Sequence, residues 1–106
     1  MIEDRAPLAE IVRRLVEAYH PECIYLFGSQ ARGEVGADSD YDIMLIVPDD
    51  AQAELRASRR AYEALWGLKI AVDVLVWTRS EFDKRLHLQA SLPATVLREG
   101  RLLHAA

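Results

Sequence analysis

Gly28-Ser29-Gln30-Ala31-Arg32-Gly33, followed a few residues later by Ser39-Asp40-Tyr41-Asp42, lies between two β-prone runs, Cys23 to Phe27 and Tyr41 to Val47. A glycine at a strand end lets the backbone approach a ligand closely. The amides of the turn that follows, with the Ser29 hydroxyl, can then donate to phosphate oxygens. This describes a cradle for a triphosphate, although a Gly-Ser loop followed by Arg-Gly is by itself equally well a plain turn. The carboxylates downstream tip the balance. Asp40 and Asp42 are two apart at a strand start, so both side chains leave from one face while Tyr41 points to the other.

Two carboxylates held about 4 Å apart repel by roughly 4 kcal/mol at an effective dielectric near 20, and a cation between them reverses the sign. A third carboxylate, Asp73, interrupts the apolar run from Ile70 to Trp77. It shares its strand face with Ala71, Leu75 and Trp77, a poor setting for a merely solvated charge. Carboxylate oxygens together with substrate phosphates are what magnesium prefers, and a pair of such ions can activate a hydroxyl and stabilise a leaving pyrophosphate.

Upstream, Leu8, Ile11, Val12, Leu15, Val16 and Tyr19 have the spacing of an amphipathic helix, with Pro7 expected in its first turn and Pro21 ending it. Downstream, Pro48-Asp49-Asp50 breaks the second strand and offers a capping carboxylate to a helix whose inner face is Ala51, Leu55, Ser58, Tyr62 and Leu65, closed by Gly67. Lys69 to Trp77 reads as a third strand. Thr78 and Glu81 have capping-box spacing, with Phe82 and Leu86 turned inward. Ser91 and Pro93 start a short helix that Gly100 ends before a brief strand from Arg101 to His104. The alternation predicts an α/β (α+β) fold, a small mixed β-sheet covered by helices on one face, with residues 1–106 forming a single domain.

At 106 residues the chain supports one core, burying roughly two thirds of the surface its unfolded form exposes. Its formal charge of −4 and scattered basic residues disfavour a long nucleic acid partner, whose phosphates require a cationic face. Cys23, the sole cysteine, excludes an intrachain disulfide. The first twenty residues are too charged for a signal peptide, and no apolar run approaches the ~20 residues of a membrane span, so a cytoplasmic location is expected. His20, His87 and His104 show no ligand spacing, and Trp66 and Trp77 are assigned to core or interface packing.

In combination, Gly28-Ser29-x-x-Arg32-Gly33, Ser39-Asp40-x-Asp42 and Asp73 between valines resemble the polymerase β-type nucleotidyltransferase superfamily. The chain most resembles its minimal nucleotidyltransferases (MNT domains), encoded beside HEPN-domain toxins, over most of residues 8 to 104. The resemblance implies the nucleotidyltransferase fold and ATP as substrate. It implies that Asp40 and Asp42 bridge two Mg2+ ions and that Asp73 completes one metal site and helps to activate the acceptor hydroxyl. Gly28 and Ser29 would bind the phosphates and Arg32 would neutralise their charge. Ser39 joins the nucleotide-binding set by its place in the motif, chiefly by positioning the strand entry. Gln30 departs from the basic residue that many relatives carry there.

The implied reaction transfers AMP to a tyrosine of a HEPN toxin, making the chain the antitoxin of a type VII-like toxin–antitoxin pair. Relatives that modify antibiotics or RNA generally carry an extra helical domain, for which this chain has no room. Two alternatives stand beside it: an antitoxin that neutralises by docking alone, and a small-molecule nucleotidyltransferase that borrows a helical substrate-binding subunit. A homodimer and a complex with a toxin dimer are both compatible with the sequence.

Overall fold

Leu8, Ile11, Leu15 and Tyr19 form one buried stripe of the first helix, α1 (Ile2–Tyr19), as their spacing predicts. The computed structural model describes residues 2–31 and 41–106, with side chains for all of these except 2–6, 29 and 30. Helix α1 begins well before the expected point, so Pro7 lies inside the helix rather than in its first turn. Its missing amide hydrogen costs one helical bond that the buried stripe beyond it offsets. The helix ends at His20, which adopts φ 48° and donates its amide to the Val16 carbonyl at 2.8 Å, ahead of Pro21.

Strand β1 (Cys23–Phe27) runs directly into a single helical turn, α2 (Gly28–Ala31), and β2 (Tyr41–Val47) follows the segment outside the described residues. Next come a 3-10 turn (Ala53–Arg56), α3 (Arg59–Ala64), β3 (Val72–Thr78), α4 (Arg79–Asp83), α5 (Leu92–Glu99) and β4 (Arg101–Ala105). The sheet order is β3-β2-β1-β4, with β1 antiparallel to both β2 and β4, and β2 parallel to β3.

The fold class is the expected mixed α+β sheet, but helices cover both of its faces instead of one. Ile24, Leu26, Ile43, Leu45, Val47 and Val74 pack against α1 and α3. Met44 and Ile46 pack on the other face, against Phe82 of α4 and Val96 of α5. The cause is the uninterrupted run Ile43-Met44-Leu45-Ile46-Val47, all of it fully buried, since a strand with no polar alternation must be covered on both sides.

Two further expectations change. The helix predicted from Ala51 is broken, because Ala57 is extended (φ −109°, ψ 148°) between the 3-10 turn and α3. That break resets the helical phase, so Ala61 and Leu65 are buried while Tyr62 is exposed. Asp49 does not cap the helix that follows it in sequence. Its carboxylate accepts the Ser80 amide at 2.8 Å, in the first turn of α4. The third strand begins at Val72 rather than Lys69, because Gly67 (φ 91°) and Lys69 (φ 57°) turn the chain in the left-handed region.

The predicted capping box is present: Thr78 Oγ1 accepts the Glu81 amide at 3.3 Å and Glu81 Oε1 accepts the Thr78 amide at 3.0 Å. Ser91 likewise caps α5, its Oγ accepting the Ala94 amide at 3.2 Å, and Gly100 ends that helix.

Candidate active site

Three strand ends meet at one end of the sheet. Because β1 is antiparallel to β2 and β2 is parallel to β3, the C-terminal end of β1 lies beside the N-terminal ends of the other two. Phe27 pairs with Asp42, and Asp42 pairs with Asp73. Asp42 shares the face of Met44 and Ile46, and Asp73 that of Leu75 and Trp77, so both carboxylates leave the sheet on the α4/α5 side.

Gly28 sits directly against Asp42. Its φ of 76° is one that residues with a side chain rarely adopt. A Cβ built there would overlap Asp42 Oδ2, with Asp42 Cγ at 3.1 Å, so the backbone and the carboxylate are already in contact. The glycine therefore meets two demands, the turn from strand to helix and the close seat for Asp42.

Side chains at paired positions of neighbouring strands start about 4.8 Å apart. Like charges at that spacing repel by about 3 kcal/mol at an effective dielectric near 20 and by about 1 kcal/mol in bulk water. Asp73 is exposed, so the lower figure is the closer one. Asp73 Oδ1 accepts a hydrogen bond from the Tyr62 hydroxyl at 3.2 Å. Since β3 is the outer strand, a side chain of α3 reaches Asp73 past the open edge of the sheet.

Of the residues predicted for the site, Gly28, Asp42 and Asp73 are brought together. The backbone of Ser29 follows Gly28 in α2. Arg32, Ser39 and Asp40 lie outside the described residues. Among the described residues no group of three histidine, cysteine or acidic side chains could hold a metal ion. The two carboxylates present are hard oxygen donors, the kind of ligand that suits Mg2+.

Sequence reasoning missed Tyr62, which it assigned to an inner helix face. The signal available was its chemistry, because a phenol on a predicted core stripe brings a hydroxyl that needs a partner. Trp66, expected to pack, is 84% exposed and lines a surface groove with Ser58, Arg59, Tyr62 and Glu63. Trp77 is half-buried, with the Arg85 guanidinium over its ring at 5.8 Å.

The mixed four-stranded sheet, with its glycine turn beside paired strand-end aspartates, is a nucleotidyltransferase-class fold by comparison with known structures. The chain belongs to the nucleotidyltransferase domain family, which it matches over residues 8–103. Its fold is similar to that of a candidate nucleotidyltransferase from Sulfolobus solfataricus, at 23% identity and TM-score 0.63, over 94% of this chain and 78% of the other. It is also similar to a chain in a crystal structure of a toxin–antitoxin with AMP-PNP, at 25% identity and TM-score 0.58, over 91% of this chain and 72% of that one. No curated protein matches the sequence. Among the described residues, no helix is long and apolar enough to cross a membrane.

Proposed function

We propose that this protein transfers AMP from ATP to a tyrosine hydroxyl of a partner HEPN toxin, silencing it and so acting as the antitoxin of a type VII-like pair. The observation that carries the catalytic part is the seating of Asp42 on the Gly28 backbone, with Asp73 in register beside it on the same face. The added phosphodiester brings charge and bulk to the acceptor, the change by which the toxin would be silenced. Likeness to a chain from a toxin–antitoxin structure that contains AMP-PNP supports both the nucleotide and the partner class.

Within this reading, Asp40, Asp42 and Asp73 would hold Mg2+, which when bound would supply neutralisation of triphosphate and pyrophosphate charge. Gly28, Ser29 and Arg32 hold the phosphates, and Ser39 sets the entry to β2. Asp73, which is exposed, receives the acceptor's proton in this reading.

The test is incubation of the chain with labelled ATP, Mg2+ and the product of the adjacent gene. Transfer of label to a partner tyrosine by the wild type, and its loss in Asp42→Asn and Asp73→Asn, is the expected result. Toxin neutralisation that survives both substitutions without any label would replace catalysis by docking.

A further inference from the structure

The Tyr62–Asp73 hydrogen bond puts a tyrosine hydroxyl of the chain itself against a carboxylate of the candidate site. The phenol oxygen is 3.2 Å from Asp73 Oδ1. Tyr62 is 48% exposed and lines a groove of about 620 Å3 together with Trp66 and Arg59. An ionised carboxylate has acceptor positions on both oxygens, so Oδ2 remains available to a cation while Oδ1 holds the phenol. Asp42 stands beside Asp73 in register, and Gly28 lies against Asp42, so the phenol shares its carboxylate partner with the end of the sheet where a triphosphate would be seated.

We infer that Tyr62 is a self-modification site, an internal acceptor onto which the protein transfers a nucleoside monophosphate when no partner hydroxyl is presented. The inference rests on the nucleotidyltransferase reading above. In the step, the Tyr62 phenol oxygen attacks the α-phosphorus of the bound nucleoside triphosphate and forms a new O–P bond. The bond from the α-phosphorus to the bridging oxygen of the β-phosphate breaks, and pyrophosphate leaves with that electron pair. The phenolic proton passes along the existing hydrogen bond to Asp73 and on to water. The geometry supplies the approach, since the reacting oxygen is held by the folded chain and needs no second molecule. A tyrosine so modified would carry its phosphodiester beside Asp73, where it obstructs a second acceptor.

The test uses the whole chain alone with ATP and Mg2+, read by intact mass and by fragmentation of the peptide that contains Tyr62. Nucleotide binding and transfer to the partner toxin are measured in parallel. The expected result is one AMP per chain, on Tyr62, lost completely in Tyr62→Phe, which keeps the ring and removes the hydroxyl. Thermal unfolding of Tyr62→Phe within a few degrees of wild type establishes that its fold is intact; a larger drop is met by repeating the labelling with Tyr62→His, and persistent label elsewhere overturns the assignment. If the wild type binds ATP and labels the partner while its own Tyr62 stays unmodified, the inference fails and the enzyme reading stands, leaving the hydroxyl as an orienting partner of Asp73. If neither nucleotide binding nor any transfer is found, both fall together.

Discussion

Gly28→Ala tests the contact on which the site is built. Two costs combine. An L-residue held at φ 76° is strained by about 1–2 kcal/mol. The new methyl group also overlaps Asp42 Oδ2, and turning that carboxylate off its rotamer adds about 1 kcal/mol. The sum of about 2–3 kcal/mol is roughly a 30- to 150-fold loss in the folding equilibrium. For a chain this size it lowers Tm by about 10–20 °C. Gly67→Ala is the control, because its φ of 91° carries the same kind of strain and its Cβ would meet nothing within 4 Å. Urea unfolding should therefore place Gly67→Ala between wild type and Gly28→Ala. In addition, affinity for Mg-ATP should fall at least about tenfold in Gly28→Ala and stay unchanged in Gly67→Ala. Equal unfolding midpoints and equal nucleotide affinity for the two variants would refute the seating of Asp42 on Gly28.

Other consequences follow from the same structure. Mg-ATP at 100 times its Kd should stabilise the wild type by about 2.7 kcal/mol and Asp73→Asn by far less in thermal-shift measurements, whereas equal shifts would remove Asp73 from the site. Calorimetry should find no tight stoichiometric Mg2+ binding without nucleotide, since the phosphates complete the coordination shell. Glu10 is held down at about 2, from an ordinary 4.5, by hydrogen bonds from Arg13 and then Arg14, and Glu81 is lowered by the Thr78 amide in the capping box. Depressed carboxylates contribute stability that is present above the ordinary value and lost as pH falls through the folded one. The difference in urea midpoint between wild type and Glu10→Gln should therefore be full above pH 5 and vanish near pH 2, and a difference constant across that window would contradict it. Phe82→Ala should cost about 3–5 kcal/mol in equilibrium unfolding, because Phe82 is 1% exposed, stacks on Tyr25 and anchors the α4 side of the sheet.

What was legible in the sequence is what short-range physics controls. The α1 stripe, the Thr78–Glu81 capping box and the Ser91 cap are set by interactions within one or two helical turns. Period-two alternation likewise places Asp42 with Met44 and Asp73 with Leu75, and proline and glycine mark the breaks. The same rules failed where a distant partner prevailed. Asp49 caps an amide 31 residues away, and the break at Ala57 turned Tyr62 out of the core. Covering on both faces could have been read from the apolar run Ile43 to Val47, yet nothing in that run says which helices do the covering.

By itself, then, the sequence determined that the chain carries a strand-end glycine and aspartates able to face one way, because backbone conformation and side-chain alternation are local. Tertiary structure decided that Asp42 and Asp73 stand in register, that Gly28 supports the first and that Tyr62 reaches the second. Those are consequences of the order β3-β2-β1-β4 and of its open β3 edge. Which strands pair is settled by burying both faces of β2 at once, a condition on the whole chain that no window of sequence contains.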